Sequence, residues 1–283
     1  MFLVFSINAQ NTWTVQAKNI NPDLYYGVTM ANGIIGLVSS PEPLKVRDVI
    51  LNGTYDYYQR GRVSNILKIF NHVNVNLDID GRRIGRGNIS NYQQVLDMKR
   101  AILTTTFEIE GKASIKSEMM SLGHLPYSSM QIIEVKAQKD IVFTPASVIE
   151  APTHLQDVRN YFSDIDRPHV LISLLTSVGK SPSGQVKVAA SNSFIFPEPH
   201  GSEPKLIHED WDYNMHLAKF TKKLKAGESY RFAIVSSAIS SQQMDDPHNE
   251  AERLTIYAKL EGIDRLYKRH IEYWEKLWQS DIE

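Results

Sequence analysis

Cysteine is absent from the 283-residue chain, which removes disulfides, thiolate metal sites and a thiol nucleophile. A surplus of either charge is missing too: 31 Lys+Arg face 32 Asp+Glu, a formal net charge of −1. The electrostatic footprint of a nucleic-acid or anionic-membrane binder is therefore lacking. No apolar run approaches the roughly 18 residues that a membrane span needs. No repeat of fixed period occurs, which argues against a propeller or solenoid. A G-x-S-x-G elbow, an H-E-x-x-H helix and a P-loop are likewise missing. What is present is a 42% hydrophobic complement, enough for a sizeable core. A soluble globular protein with a neutral ligand is expected.

Between about Trp13 and Ser240 the pattern is that of strands. Short or alternating apolar runs recur at Gly33–Val38, His72–Ile79, Ala101–Ile109, Ser129–Lys136, His169–Ser177, Gln185–Ala190, His216–Leu224 and Tyr230–Ala238, each bounded by Gly, Pro, Asn or Asp. Asp80-Gly81 and Glu110-Gly111 read as hairpin turns, the second leading into Ala113–Ser121. Ala226-Gly227-Glu228 reads as a third, joining His216–Leu224 to Tyr230–Ala238. So many antiparallel strands call for two sheets packed face to face.

The ends of the chain differ from its middle. Residues 1–10 (MFLVFSINAQ) are dense in apolar side chains and close on small and polar ones, the pattern of the tail of a signal peptide. That favours a periplasmic or secreted location, with residues 11–243 as the β-domain. Residues 244–283 change period. Asp245-Asp246-Pro247 is a helix start. Leu254, Tyr257, Leu260, Ile263, Leu266, Tyr267, Ile271, Trp274 and Trp278 then follow helical spacing, with Gly262 dividing the segment into two helices.

Four segments carry a resemblance. Asn32-Gly33-Ile34-Ile35-Gly36 resembles the N-G-x-x-G signature near the start of glycoside hydrolase family 65 proteins. Leu96-Asp97-Met98-Lys99-Arg100-Ala101-Ile102-Leu103-Thr104 is similar to that family's L-D-M-[KR]-R-x-x-L-T stretch. Glu118-Met119-Met120-Ser121-Leu122 with His124 resembles its E-x-x-x-S strand end. Tyr273-Trp274-Glu275-Lys276-Leu277-Trp278 with Asp281-Ile282-Glu283 resembles its W-x-x-L-W…D-I-E segment. The resemblance implies a mainly β fold: a two-sheet antiparallel super-sandwich of the galactose mutarotase type, followed by C-terminal linker helices. It also implies an (α/α)6 catalytic barrel beyond the linker, carrying the glutamate general acid, and α-linked glucosides such as kojibiose, trehalose or maltose as substrates. Cleavage would invert, by hydrolysis or by phosphorolysis. No cofactor is implied, and inorganic phosphate would be a co-substrate only in a phosphorylase. Tyr273, Trp274, Leu277 and Trp278 are the candidate contacts to the barrel, and a homodimer is a further possible partner arrangement.

The chain itself offers little chemistry for glycoside cleavage, which needs two groups on opposite faces of the scissile bond. Asp78/Asp80, Glu108/Glu110, Asp164/Asp166 and Asp245/Asp246 are acidic pairs beside turns, where solvated carboxylates are the rule. No catalytic residue is assigned. His208, Asp210 and His216 have the composition of a metal site without its spacing, and no metal ligand is assigned either. Trp211, Asp212 and Tyr213 suit stacking on a pyranose, as do Tyr57 and Tyr58 in the aromatic loop Asn52–Tyr58. Arg82, Arg83 and Arg86 read as a cationic sheet edge rather than a phosphate cradle. Three readings stand: a non-catalytic domain of a family 65 enzyme, a free-standing carbohydrate-binding module, and a cell-envelope interaction domain.

Overall fold

The computed structural model describes residues 13–18, 20–57, 63–212 and 214–280, so the apolar start at 1–10, Tyr58, Tyr213 and Asp281–Glu283 lie outside the described residues. The first strands are β1 (Thr14–Ala17), β2 (Thr29–Ala31), β3 (Ile35–Ser39), β4 (Val46–Tyr57), β5 (Ser64–Ile69), β6 (Asn71–Ile79) and β7 (Arg82–Arg83). Next come β8 (Ser90–Asp97), β9 (Ile102–Ile109), β10 (Ala113–Ser121), β11 (Ser128–Ala137), β12 (Ile141–Glu150) and β13 (Gln156–Arg167). The last are β14 (Val170–Lys180), β15 (Lys187–Ile195), β16 (Ile207–Asp212), β17 (Met215–Lys219), β18 (Lys222–Leu224) and β19 (Ser229–Ser240). Helices α1 (Pro247–Glu261) and α2 (Ile263–Trp278) close the chain.

Among the described residues the strands form two layers. One is a 9-stranded antiparallel sheet in the order β1-β8-β9-β10-β11-β19-β15-β14-β13. The other is divided into a 6-stranded sheet, β16-β17-β12-β6-β7 with β18 beside β12, and a 4-stranded sheet, β2-β3-β4-β5. The two parts are continuous in the chain, since β5 passes through buried Phe70 straight into β6. They are also stitched together: the Val75 N–H donates to the Leu44 carbonyl at 3.1 Å and the Val46 N–H to Asn74 Oδ1 at 2.8 Å. Accumulated twist explains the division, because one flat layer of that width could not follow the opposing sheet. Between the layers lies the main core, built from Leu37, Val49 and Leu67, from Val75, Leu77 and Phe143, and from Phe107, Ile133, Phe194 and Phe232.

The middle strands of the 9-stranded sheet, β11, β19 and β15, are buried on both faces, which is why they read as continuous apolar runs. In β19, Tyr230, Phe232 and Ile234 point into the sandwich, while Ala233 and Val235 join Leu266 and Ala258 of the helices on the other side. The helix signals act as the sequence implies. Pro247 opens α1, the Asp246 carboxylate accepts from the Asn249 N–H, and Gly262, at φ 77°, separates the helices.

Three expectations need correction. The segment Ala226-Gly227-Glu228 is not a hairpin, because β18 lies in one layer and β19 in the other. The turn is tied to the neighbouring crossover from β11 to β12: Gly227 N–H donates to the Ala137 carbonyl, Ala137 N–H to the Glu228 carbonyl, and Ala226 N–H to the Asp140 carboxylate. Asn52–Tyr57 is not a loop but the end of β4, held by hydrogen bonds from Gln243 to the Asn52 carbonyl and to Thr54. In α1 the expected apolar face holds only at Leu254, which packs against Ala189, Ile239 and Ala251. Tyr257 and Leu260 are 41% and 59% exposed, while Pro247, Ala251, Thr255 and Ala258 are buried. Small residues let the helix backbone approach the sheet closely enough for Thr255 Oγ1 to donate to the Ser191 carbonyl at 3.2 Å.

Candidate functional site

Helix α2 holds the described part of the fourth segment that carries the resemblance; the second and third meet it directly, and the first holds the third in place. In the first, Asn32 is a clamp. Its Oδ1 accepts from the Ile34 and Ile35 N–H groups, and its Nδ2 donates to the carbonyls of Leu122 and Pro126 at 2.8 and 3.1 Å. That fixes the loop after β10. Ser121 Oγ adds a bond to the Met30 carbonyl. Gly123, in this loop, lies under Tyr273 of α2, and a Cβ there would overlap the tyrosine ring.

The second segment supplies the other half of the seat. Asp97 Oδ1 accepts from the Arg100 N–H, folding a turn in which Ala101 takes φ 51°. The turn offers two backbone carbonyls to the helix. Arg100 O accepts from His270 Nε2 at 2.8 Å, and Lys99 O accepts from Trp278 Nε1 at 2.8 Å. Trp278 also meets Trp13 edge-on at 4.7 Å, and Lys99 Nζ lies 4.9 Å from the Trp13 ring. With Nε2 donating, His270 Nδ1 is the acceptor for the Gly123 N–H at 3.2 Å. One fully buried imidazole thus bridges both segments. Burial holds His270 below its ordinary pKa, so the neutral ring needed for this double role is the stable one. His124 sits nearby with both ring nitrogens buried and unpartnered, and burial pushes it down to about 4. The arrangement is a joint between sandwich and helix. Of the residues expected to contact a barrel, Tyr273 and Trp278 are spent largely on this joint. Trp274 packs 6.3 Å from His270, and Leu277 remains 47% exposed.

Among the described sugar-contact candidates, Trp211 and Asp212 stand on a different sheet from Tyr57. Trp211, 52% exposed, stands on edge strand β16, its Nε1–H donated to Glu209 Oε2 at 2.8 Å, and Glu209 pairs with Lys219. Asp212 ends the same strand, and its carbonyl accepts from Asn160 Nδ2. Tyr57, 54% exposed, ends β4 in the 4-stranded sheet. Behind Trp211, the His208, Asp210 and His216 side chains belong to a hydrogen-bond chain. Asn160 Nδ2 donates to Asp210 at 3.1 Å, Ser177 Oγ donates to Asn160 Oδ1 at 2.8 Å, and Ser177 Oγ meets His216 Nε2 at 2.9 Å. Because Ser177 has given its proton to Asn160, His216 Nε2 must donate, so His216 Nδ1 accepts from His208 Nε2 at 3.3 Å. Both nitrogens of His216 are occupied, and burial pushes it down to about 4. Among the described residues no group of three or more His, Cys, Asp or Glu could hold a metal ion, and no cofactor is indicated.

At least one member of three of the acidic pairs is engaged at the surface, Glu108 by Asn91 Nδ2 at 2.8 Å. Asp78 bonds Arg83, Asp80 accepts from Lys112 Nζ at 2.5 Å and from the Val142 N–H at 3.0 Å, and Asp246 caps α1. Arg82 and Arg83 form the short edge strand β7, and Arg86 pairs with Glu42. Two groups of residues escaped the sequence reading. His270 lies one turn beyond Leu266 on the buried stripe, a signal open to a helical count that admits histidine as core. Tyr161 and His248, whose rings meet at 4.9 Å, come from elements far apart in the chain and left no local signal.

Comparison with known proteins follows from this geometry. A family model described as the N-terminal domain of glycosyl hydrolase family 65 matches residues 28–277. A kojibiose hydrolase of Mucilaginibacter mallensis is 48% identical over 278 residues, covering 98% of this chain and 41% of that protein. A kojibiose hydrolase of Flavobacterium johnsoniae is 45% identical over 275 residues, covering 97% and 40%. A solved structure named for a kojibiose phosphorylase from the human microbiome has a TM-score of 0.75 at 10% identity, covering 94% of this chain and 38% of that one. At that identity the likeness speaks for the fold alone. The chain spans about two fifths of the length of the curated relatives it matches, 41% and 40%.

Proposed function

The chain belongs to the N-terminal domain family of glycosyl hydrolase family 65, and from that premise we propose that it is the non-catalytic N-terminal domain of an exported hydrolase of α-linked glucosides, kojibiose first among them. Its work is mechanical. It presents a helix locked to a β-sandwich, against which an (α/α)6 catalytic domain packs. The observation that carries the reading is the 48% and 45% identity to proteins named kojibiose hydrolase across nearly the whole chain. The joint around His270 supports the mechanical part, because three separate segments converge to fix one helix. Hydrolysis is preferred to phosphorolysis because the relatives of high identity are hydrolases by name. Export rests on residues 1–10.

The test is activity. A protein with this domain followed by the catalytic region of its gene, and the 283-residue chain alone, are incubated with kojibiose, nigerose, maltose and trehalose, with and without phosphate. Free glucose from kojibiose in the longer protein only, independent of phosphate, is the expected result. Glucose phosphate as product would establish the phosphorylase instead. Cleavage by the short chain would overturn its non-catalytic role and reopen the acidic pairs.

A further inference from the structure

At the opposite edge of the 9-stranded sheet from the joint around His270, a cleft of about 540 Å³ separates that sheet from the first turn of α1. Its floor is one face of edge strand β13, where Asp157, Arg159 and Tyr161 alternate with inward-facing neighbours. Its wall is Asp245, Asp246 and His248. The Tyr161 ring leans on His248 at 4.9 Å and 33° yet keeps 39% of its surface exposed, so it is held in place while offering a face.

The polar groups divide into those in use and those left over. Asp157 pairs with Lys180 at 2.8 Å, and Asp246 caps α1. The side chains of Arg159, Lys187 and Asp245 have no hydrogen-bond or ion-pair partner among the described residues, and all three line the cleft. The formal charges balance: Arg159, Lys180 and Lys187 against Asp157, Asp245 and Asp246. A phosphate or sulfate would meet the carboxylates of the wall, and a purely apolar ligand would strand the unpaired ions. A neutral molecule that both donates and accepts, with a C–H face for an aromatic ring, satisfies every group. The volume falls within the roughly 300–1,000 Å³ of small-molecule sites.

We propose that this cleft is a binding site for a neutral oligosaccharide, with a pyranose stacked on Tyr161, Arg159 and Lys187 donating to its hydroxyls and Asp245 accepting from them. This goes beyond the function proposed above and does not depend on any catalytic domain. Trp211 is the rival platform, but it stands on an open edge with its indole N–H already committed to Glu209.

The test is calorimetric titration of the 283-residue chain with kojibiose, maltotriose and cellotriose, and with a sulfated disaccharide as the anionic comparator. Amide chemical shifts are followed at residues 157–161 and 245–248. At least one neutral saccharide binds, shifting those amides. Tyr161→Ala and Arg159→Ala each weaken it at least about tenfold, while Trp211→Ala changes it less than about twofold. Both cleft substitutions are at exposed positions, and an unchanged far-UV spectrum checks that each variant is folded. The site is overturned if no neutral saccharide binds, if both cleft variants bind normally, if only Trp211→Ala abolishes binding, or if the sulfated sugar is preferred. None of these results bears on whether the longer protein hydrolyses kojibiose, so the two readings fail separately.

Discussion

Helices α1 and α2 are of nearly equal length, 15 and 16 residues, and dock on the same outer face of the 9-stranded sheet, yet they are held by opposite means. In α1 the buried stripe is small: Pro247, Ala251, Thr255 and Ala258. Close approach then lets its polar side chains reach the sheet, with Thr176 Oγ1 donating to Glu252 at 2.9 Å and Lys259 Nζ donating to the Phe194 carbonyl at 3.0 Å. Helix α2 stands off on larger groups. Leu266 and His270 are fully buried, and Tyr273 and Trp278 are laid onto the loops that follow β8 and β10. The comparison teaches that a helix can be specified by the space it refuses as well as by the area it buries. α1 depends on having no large side chain at the contact. α2 depends on particular large ones.

Truncation and overpacking should therefore act oppositely on the two. Leu266→Ala removes a fully buried side chain beneath α2 and is expected to cost about 2–5 kcal/mol, read from urea unfolding followed by circular dichroism. A loss below about 1 kcal/mol would mean that α2 is not anchored by its apolar stripe. Ala258→Leu in α1 adds volume where none is free and should cost about 1–3 kcal/mol in the same assay. A stabilising effect there would mean that the helix stands off the sheet, and the comparison would collapse.

Acid adds a test of α2, because one of the buried histidines, His270, lies on it. His72, His124 and His216 are pushed by burial from 6.5 to about 4, and His270 is lowered by the same cause. The unfolded chain takes up these protons near pH 6.5 while the folded chain resists. The sign follows: the unfolded state binds more protons, so stability is complete above about pH 6.5 and is lost as pH falls toward 4. His270→Gln keeps a donor and an acceptor but cannot titrate, so its stability should decline less steeply between pH 6.5 and 4 than that of the parent. Parallel declines would mean that His270 gains its proton as readily in the folded chain as in the unfolded one, against the neutral bridge between Gly123 and Arg100.

Much of this architecture was legible in the sequence, for identifiable reasons. The Asp246-Pro247 start, the Gly262 break and the Asp80-Gly81 and Glu110-Gly111 hairpins are local chemistry, and the chain follows it. The four segments were also visible, though not the fact that they converge. Asn32 reaches Leu122 across 90 residues and Trp278 reaches Lys99 across 179, distances over which no pattern points. The turn at Gly227 was misread because the same residues serve a hairpin and a crossover, and the choice was made by Asp140, 86 residues from Ala226. The cleft beside Tyr161 was invisible for a related reason. Its residues are ordinary on their own elements and matter only where β13 faces α1.

The smallest expected effect falls on the exposed large residues of α1. Counting large apolar residues at helical spacing selects Tyr257 and Leu260 as its buried face, and the structure leaves them 41% and 59% exposed. Leu260→Ser should then change stability by less than about 0.5 kcal/mol, the range of surface substitutions, against the larger cost of Ala258→Leu two residues earlier. If the order reversed, with Leu260→Ser the more damaging, the large residues would be the ones inside and the plain periodicity argument would have been right. The hydrogen bonds from Thr255 and Lys259 to the sheet argue that it will not reverse. Both residues lie on the small-residue side of the helix, and turning α1 to bury Leu260 would break both bonds at once.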